Sequence, residues 1–228
     1  MTRPAVTTAV DAVAQELRAA VLAGDPAPGE RLREEALASA YQVARHTLRA
    51  ALRVLAAERL VVVEPHRGAR VAHLDDDDLR ALFELRTALE VEAARLTTDR
   101  NRAERNRADG NRADRTAVRT PDVEAAAREL DRLCHADPPD RAAVDAAHLA
   151  LHHALVARAG SPRITQAHAA LAAEQRLALL QSRAALGVER MAALHRRLLD
   201  DLQEHGPEAL RRHLEQGRAI SRPGRHAR

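Results

Sequence analysis

At 228 residues the chain has room for one large or two ordinary domains, and 46% hydrophobic with 30% charged residues describes a chain that can bury a core. Aromatic residues make up only 1%, so Leu, Ala and Val must fill that core, which favours close-packed helices over a β-sandwich; the 36 basic residues are all arginine and the net charge is only +3, so the placement of charge matters more than its sum. The lone Cys134 leaves no partner for an intrachain disulfide, and no stretch approaches the roughly 18 to 20 apolar residues of a membrane span, so a reducing cytoplasm and no membrane partner are expected.

Val6, Val10, Val13, Leu17 and Val21 recur at three and four and predict a first helix over residues 7–23, closed at Gly24. Asp25 to Gly29 follows as a rigid turn. Leu37, Tyr41 and Val43 mark a short helix and its bend. Leu48, Ala51, Leu52 and Leu55 then predict a second helix over 44–58, giving a helix-turn-helix. Arg45, Arg49 and Arg53 fall on the face opposite those leucines. Residues 61–63 and 69–71 read as two short strands whose hairpin tip holds His66, Arg67 and Gly68, a wing. From Arg45 to Arg70 six arginines (45, 49, 53, 59, 67 and 70) face two acids, Glu58 and Glu64. An arginine run alone is often just a solvated face. Ridge, turn and wing together point to double-stranded DNA, and a first domain is expected over residues 1–74.

Asp75 to Asp78 precede an apolar stripe of Leu79, Leu82, Phe83, Leu85, Leu89 and Leu96, so these carboxylates are expected to cap a helix rather than to hold a cation. Arg86 and Glu90 lie one turn apart on it. Residues 101–115 repeat NRAER, NRADG, NRADR, which sets Ala103, Ala108 and Ala113 about 140° apart on a helix and denies them a common apolar face. Residues 97–120 are therefore expected to be a low-complexity mobile loop. From Pro121 the pattern is helical: one helix closes at Leu133, a second holds Val144 to Val156, others cover 164–182 and 188–204, and the last opens at Pro207 and fades near Gly217. An all-helical second domain is expected over 75–221, with a disordered tail over 222–228. His148 and His152, four apart, share a helix face and could grip one metal ion, with His195 reaching them across the bundle; ordinary buried or surface histidines are the simpler alternative.

From Val21 to Val71 the chain resembles the winged helix of GntR-type bacterial transcriptional regulators. The landmarks Gly24, Pro28, Gly29, Leu32, Glu34, Leu37, Ala38, Val43, Arg45, Arg49, Ala51, Leu52, Leu55, Leu60, Gly68 and Val71 fall in order. Ala44 stands where the family has a helix-capping Ser, Ala50 where a Glu is common, and Arg59 where a Gly opens the wing strand. The second half resembles the FCD effector domain of the FadR-like branch. Its opening RxxLE motif appears as Arg86 to Glu90, and DxxFHxxLxxxxxN appears as HLALHHALVARAGS, with His148 at the Asp position, His152 at the first His and Ser161 at the Asn.

The resemblance implies a mostly α fold: a winged helix-turn-helix with a small β-hairpin wing, then a helical effector-binding and dimerisation bundle. It implies a homodimeric repressor on a short palindromic operator. Arg33, Arg45, His46, Thr47, Arg49, Arg53, His66, Arg67 and Gly68 would meet DNA, and Arg86 would meet a carboxylate effector. His148, His152, His195 and His213 would hold one divalent metal, zinc first and nickel or manganese next; Gly217 occupies the family's last ligand place, with His213 one turn earlier. Two other readings are a regulator whose second domain only dimerises and, from a different class, a helical zinc hydrolase. No HExxH, nucleophile triad or phosphate loop supports the hydrolase, so no enzymatic activity is expected.

Overall fold

The computed structural model describes residues 8–64, 67–107 and 118–221. The chain divides into two compact units, Met1–Leu74 and Asp75–Arg228.

In the first unit, α1 (Ala9–Ala23) opens on a reciprocal cap between Thr8 and Asp11 and ends on Gly24, whose φ of 98° is a left-handed conformation that glycine adopts without strain. Helices α2 (Glu34–Ala40) and α3 (Arg45–Ala57) form the helix-turn-helix. Leu48, Ala51, Leu52 and Leu55 of α3 are buried together with Val13, Leu17 and Val21 of α1, which packs against it. The wing strands β2 (Val61–Glu64) and β3 (Gly68–Val71) pair antiparallel, with Val61 opposite Val71 and Glu64 opposite Gly68. A third strand, β1 (Arg31–Leu32), joins the other edge of β3 and gives the order β1-β3-β2. Two residues are too few to show a period, which is why the sequence indicated only two strands. Arg59, in the family's glycine position, has a φ of 59°, so its backbone occupies a left-handed conformation that a glycine would hold at lower cost.

The second unit is a helical bundle of α4 (Asp76–Arg107), α5 (Pro121–Cys134), α6 (Arg141–Ala157), α7 (Pro162–Ala169), α8 (Ala172–Ser182), α9 (Val188–His205) and α10 (Pro207–Ser221). The Asp75 carboxylate accepts from the backbone N–H groups of Asp77 and Asp78 at 2.9 Å each, so the acidic run caps α4. Leu130, Leu151, Met191, Leu198, Leu199 and Leu210 are fully buried and anchor the core. Most of the predicted α4 stripe faces inward, but Leu85 is 47% exposed. Among the described residues no helix is long and apolar enough to cross a membrane.

Three expectations are corrected. The mobile loop over 97–120 does not begin at 97, because α4 continues to Arg107. Its extension needs no apolar stripe: Thr97 is buried, Arg95 bridges Glu92 and Asp99 along the helix, and Arg100 donates to the Ala159 carbonyl. The rest of that segment, 108–117, and the expected tail at 222–228 lie outside the described residues. The single helix over 164–182 is two, because the chain tightens where the Leu171 N–H bonds the His168 carbonyl at 3.1 Å, a three-residue step that ends α7. Finally α10 does not fade at Gly217 but runs to Ser221; a Cβ at Gly217 would stand 3.4 Å from the Phe83 ring, so the missing side chain lets the helix lie close.

Ala44 caps α3 with extended backbone (φ −67°, ψ 147°) and no side-chain bond to the first turn. Serine at Ncap adopts the same conformation and adds an acceptor for an orphan N–H. Ala44→Ser is expected to stabilise the first unit by about 1 kcal/mol, read as a higher denaturant midpoint at unchanged slope; no gain would mean that water already satisfies the turn fully.

Candidate functional sites: an arginine face and a histidine centre

On the first unit, the period of α3 sends Leu48, Leu52 and Leu55 inward, and Arg45, Arg49 and Arg53 are consequently exposed. Arg45 and Arg49 keep 62% and 59% of their side-chain surface open. Their charge is held by α2: Arg49 Nε lies 2.7 Å from Glu34 and Arg45 pairs with Glu35. Such exposed pairs are worth about 0 to 1 kcal/mol, so a phosphate can displace them at little cost. His46 is exposed beside them and Thr47 half-buried. A concave surface between α3, β1 and the wing brings together Arg31, Arg33, Arg49, Arg53 and Arg67 against Glu34 and Glu64. Arg31 donates to the Arg67 carbonyl at 3.1 Å and pins the hairpin tip, where Gly68 has a φ of 84° and open space where a Cβ would stand. No local spacing signals the Arg31 contact. His66 lies outside the described residues.

On the second unit, α6 presents His148 and His152, α9 presents His195, and the nitrogens of these three lie within 4.8 Å of one another, all buried. The His213 ring on α10 stands 4.7 Å from that of His195 and 5.4 Å from that of His152, centroid to centroid. Gly217, at the resemblance's last ligand position, faces Phe83 instead, and a side chain there would meet that ring.

The imidazole protons are already committed. His195 Nδ1–H donates to the Met191 carbonyl at 2.7 Å, and His152 Nδ1–H donates to the Glu90 carboxylate at 2.6 Å. Each neutral ring is left with a bare Nε2, and these two nitrogens face each other at 3.2 Å. Two lone pairs repel at that distance unless a cation lies between them. A shared proton is disfavoured: burial first, then the neighbouring His152, lowers the His195 pKa to about 3, and burial first, then His195, lowers those of His148 and His213. A metal ion fits. Adjacent nitrogens on a tetrahedral zinc bound at about 2.05 Å are about 3.3 Å apart, close to the observed separation. The buried His148 Nδ1 also lacks a hydrogen-bond partner among the described residues.

Around the centre lies a shell that spacing did not reveal. Glu90 has no exposed side-chain surface and accepts from Arg86 Nε at 2.9 Å and from His168 Nε2 at 3.3 Å as well as from His152. Burial alone would push its pKa up; Arg86, then His152, overcome that and hold it well below the usual carboxylate range. His152 is lowered by burial although Glu90 opposes the shift, so the pair is carboxylate and neutral imidazole. Arg86, the expected effector contact, is buried against Phe83, and its Nη2 lacks a hydrogen-bond partner among the described residues. The Arg86 and Glu90 pairing was legible from their one-turn spacing; His168 carried no periodic signal. Glu90 also lines a cavity of about 280 Å³ with Thr97, Leu155, Arg158, Leu202 and Gln203.

Comparison with known proteins adds a family. Residues 9–71 match the bacterial regulatory proteins of the gntR family. The chain is 42% identical over 90 residues to the HTH-type transcriptional regulator named BphR of Paraburkholderia xenovorans (strain LB400), covering 40% of this chain and 37% of that relative. It is 32% identical over 148 residues to the HTH-type transcriptional repressor GlaR of Escherichia coli (strain K12), covering 64% of this chain and 61% of that relative. A solved structure from Rhodococcus sp. RHA1, named as a transcriptional regulator GntR, superposes with a TM-score of 0.73 at 25% identity over 93% of this chain and 96% of its own. The Escherichia coli McbR/YncC structure shares the fold, with a TM-score of 0.66 at 18% identity over 95% and 98% of the two chains. The first unit therefore carries the winged helix of the gntR family of bacterial regulatory proteins, and nearly the whole chain shares the fold of a solved GntR regulator.

Proposed function

We propose that the protein is a DNA-binding transcriptional repressor of the FadR-like branch whose FCD-like second domain binds a small organic acid beside a divalent metal. The single observation that carries the DNA reading is the arginine face of α3, which is exposed, next to a paired wing, and met by weak surface pairs from α2. In this reading a homodimer sets two copies of α3 in the major grooves of a short palindrome, since two-fold protein symmetry calls for two-fold DNA symmetry. Arg45, His46, Thr47 and Arg49 approach base edges at the N-terminal half of the helix. Arg33 and Arg53 approach phosphates, and the tip of His66, Arg67 and Gly68 approaches the minor groove.

The opposed Nε2 atoms of His152 and His195 support the metal part. His148, His152 and His195 would hold the ion, with His213 beside them, and zinc suits an all-imidazole set best. When bound, the ion supplies positive charge that attracts an anionic group. Arg86, whose Nη2 lacks a hydrogen-bond partner among the described residues, would take one oxygen of the effector carboxylate. Effector binding would lower DNA affinity by its differential affinity for the two dimer geometries, commonly about 1 to 3 kcal/mol. The repressor name of GlaR and the regulator name of BphR agree with this reading and not with a hydrolase.

Binding at fixed salt tests the DNA half: Arg49→Ala is expected to weaken association with operator fragments selected from genomic DNA and to lower the slope of log affinity against log salt by about 1. An unchanged affinity and slope would remove α3 from the interface. Metal analysis of purified protein tests the other half. DNA binding with no bound metal and no response to organic acids would instead leave the second domain as a dimerisation module.

Stripping the metal with a chelator should also expose a pH dependence. His148, His195 and His213 stay neutral when folded and protonate near the ordinary histidine pKa of about 6.5 when unfolded. The unfolded state therefore takes up protons first, and stability should fall as pH drops below about 6.5, by up to about 1.4 kcal/mol per pH unit for each such histidine. Denaturation midpoints that stay flat between pH 7 and pH 5 would show these rings to be accessible.

A further inference from the structure

Of the side chains in the second unit, Glu90 has the most demanding surroundings. It is a carboxylate with no exposed surface, reached by a guanidinium from its own helix α4, an imidazole from α6 and an imidazole from α7. Leaving such a charge buried is expensive, and a neutral amide or an apolar side chain would avoid the cost, so the charge calls for an explanation beyond packing.

The contact with His152 supplies one. Its Nδ1–H donates to Glu90 Oε2 at 2.6 Å, which settles the tautomer and turns the bare Nε2 toward His195. Without that acceptor the proton could move to Nε2, and the ring would present a donor to the centre. Position 148 bears on the charge balance, because it carries an imidazole, so the three converging ligands are all neutral. A divalent ion there keeps its full charge in a buried site. Glu90 returns one negative charge through the His152 ring, raising the basicity of Nε2.

We propose that Glu90 is the positioning residue of the histidine centre, locking His152 as a metal-facing Nε2 ligand and supplying the negative charge absent from the ligand set. Arg86 and His168 hold the carboxylate on its other side: Arg86 Nε and His168 Nε2 both meet Oε1, leaving Oε2 to His152. The inference rests on the metal reading above and concerns a divalent ion of zinc type. Its failure is separable from the failure of that reading.

The test uses the full chain with zinc and with cobalt(II) as a visible probe. Zinc affinity is measured by competition with a chromophoric chelator, and folding is followed by far-ultraviolet circular dichroism. Glu90→Gln, which keeps the shape but loses the charge, is expected to weaken zinc binding 10- to 100-fold and to change the cobalt d–d spectrum. Glu90→Asp keeps the charge and should recover part of the affinity. Equal zinc affinity in wild type and Glu90→Gln overturns the inference while leaving the metal reading standing; absence of zinc binding in wild type overturns both.

Should the variants fail to fold, nitrogen-15 spectra of the histidines in the wild-type chain decide the matter. A His152 signal with its proton on Nδ1, and an Nε2 resonance that moves on adding zinc, supports the assignment. A proton on Nε2 that persists with zinc present overturns it.

Discussion

A carboxylate sealed from water has to be met by donors, and in the second unit that requirement joins three helices. Glu90 of α4 is satisfied only if α6 brings His152 and α7 brings His168 to the same point while Arg86 folds back along α4. Charge-assisted hydrogen bonds of this kind are directional, whereas the surrounding leucine contacts tolerate sliding. His168, which reaches Glu90, lies one residue before the end of α7. The orientation of the His152 ring is therefore a property of the bundle as a whole.

The first unit solves an opposite problem. The arginines of α3 lie outside, and Arg45 and Arg49 are attached there by surface pairs to Glu35 and Glu34 of α2. What is fixed there is the backbone beneath them: a leucine face on α3, a helix α1 packed across it, and a three-stranded sheet that ties the hairpin tip to β1 through Arg31. Rigid support under loosely held cations suits a surface that trades carboxylates for phosphates.

Much of this was legible in the residues. The helical period of Leu48, Leu52 and Leu55 placed α3, and the valine run with its Pro-His-Arg-Gly turn placed the wing, because both signals are local. His148 and His152 shared a face by spacing alone. What stayed hidden depended on distant parts of the chain. Strand β1 exists only because β3 offers it an edge; His168 matters only because Glu90 lies behind it. Apolar period alone understates the length of α4, because ion pairs between neighbouring turns carry that helix onward. Gly217 looked like a helix ending and is instead a close approach to Phe83.

The makeup of the arginine surface around α3 bears on how it could be altered. Arg33, Arg45, Arg49, Arg53 and Arg67 carry guanidinium groups, which offer no amine for acetylation. Acyl transfer therefore has no foothold on such a surface. Displacing or shielding the face as a whole is what remains.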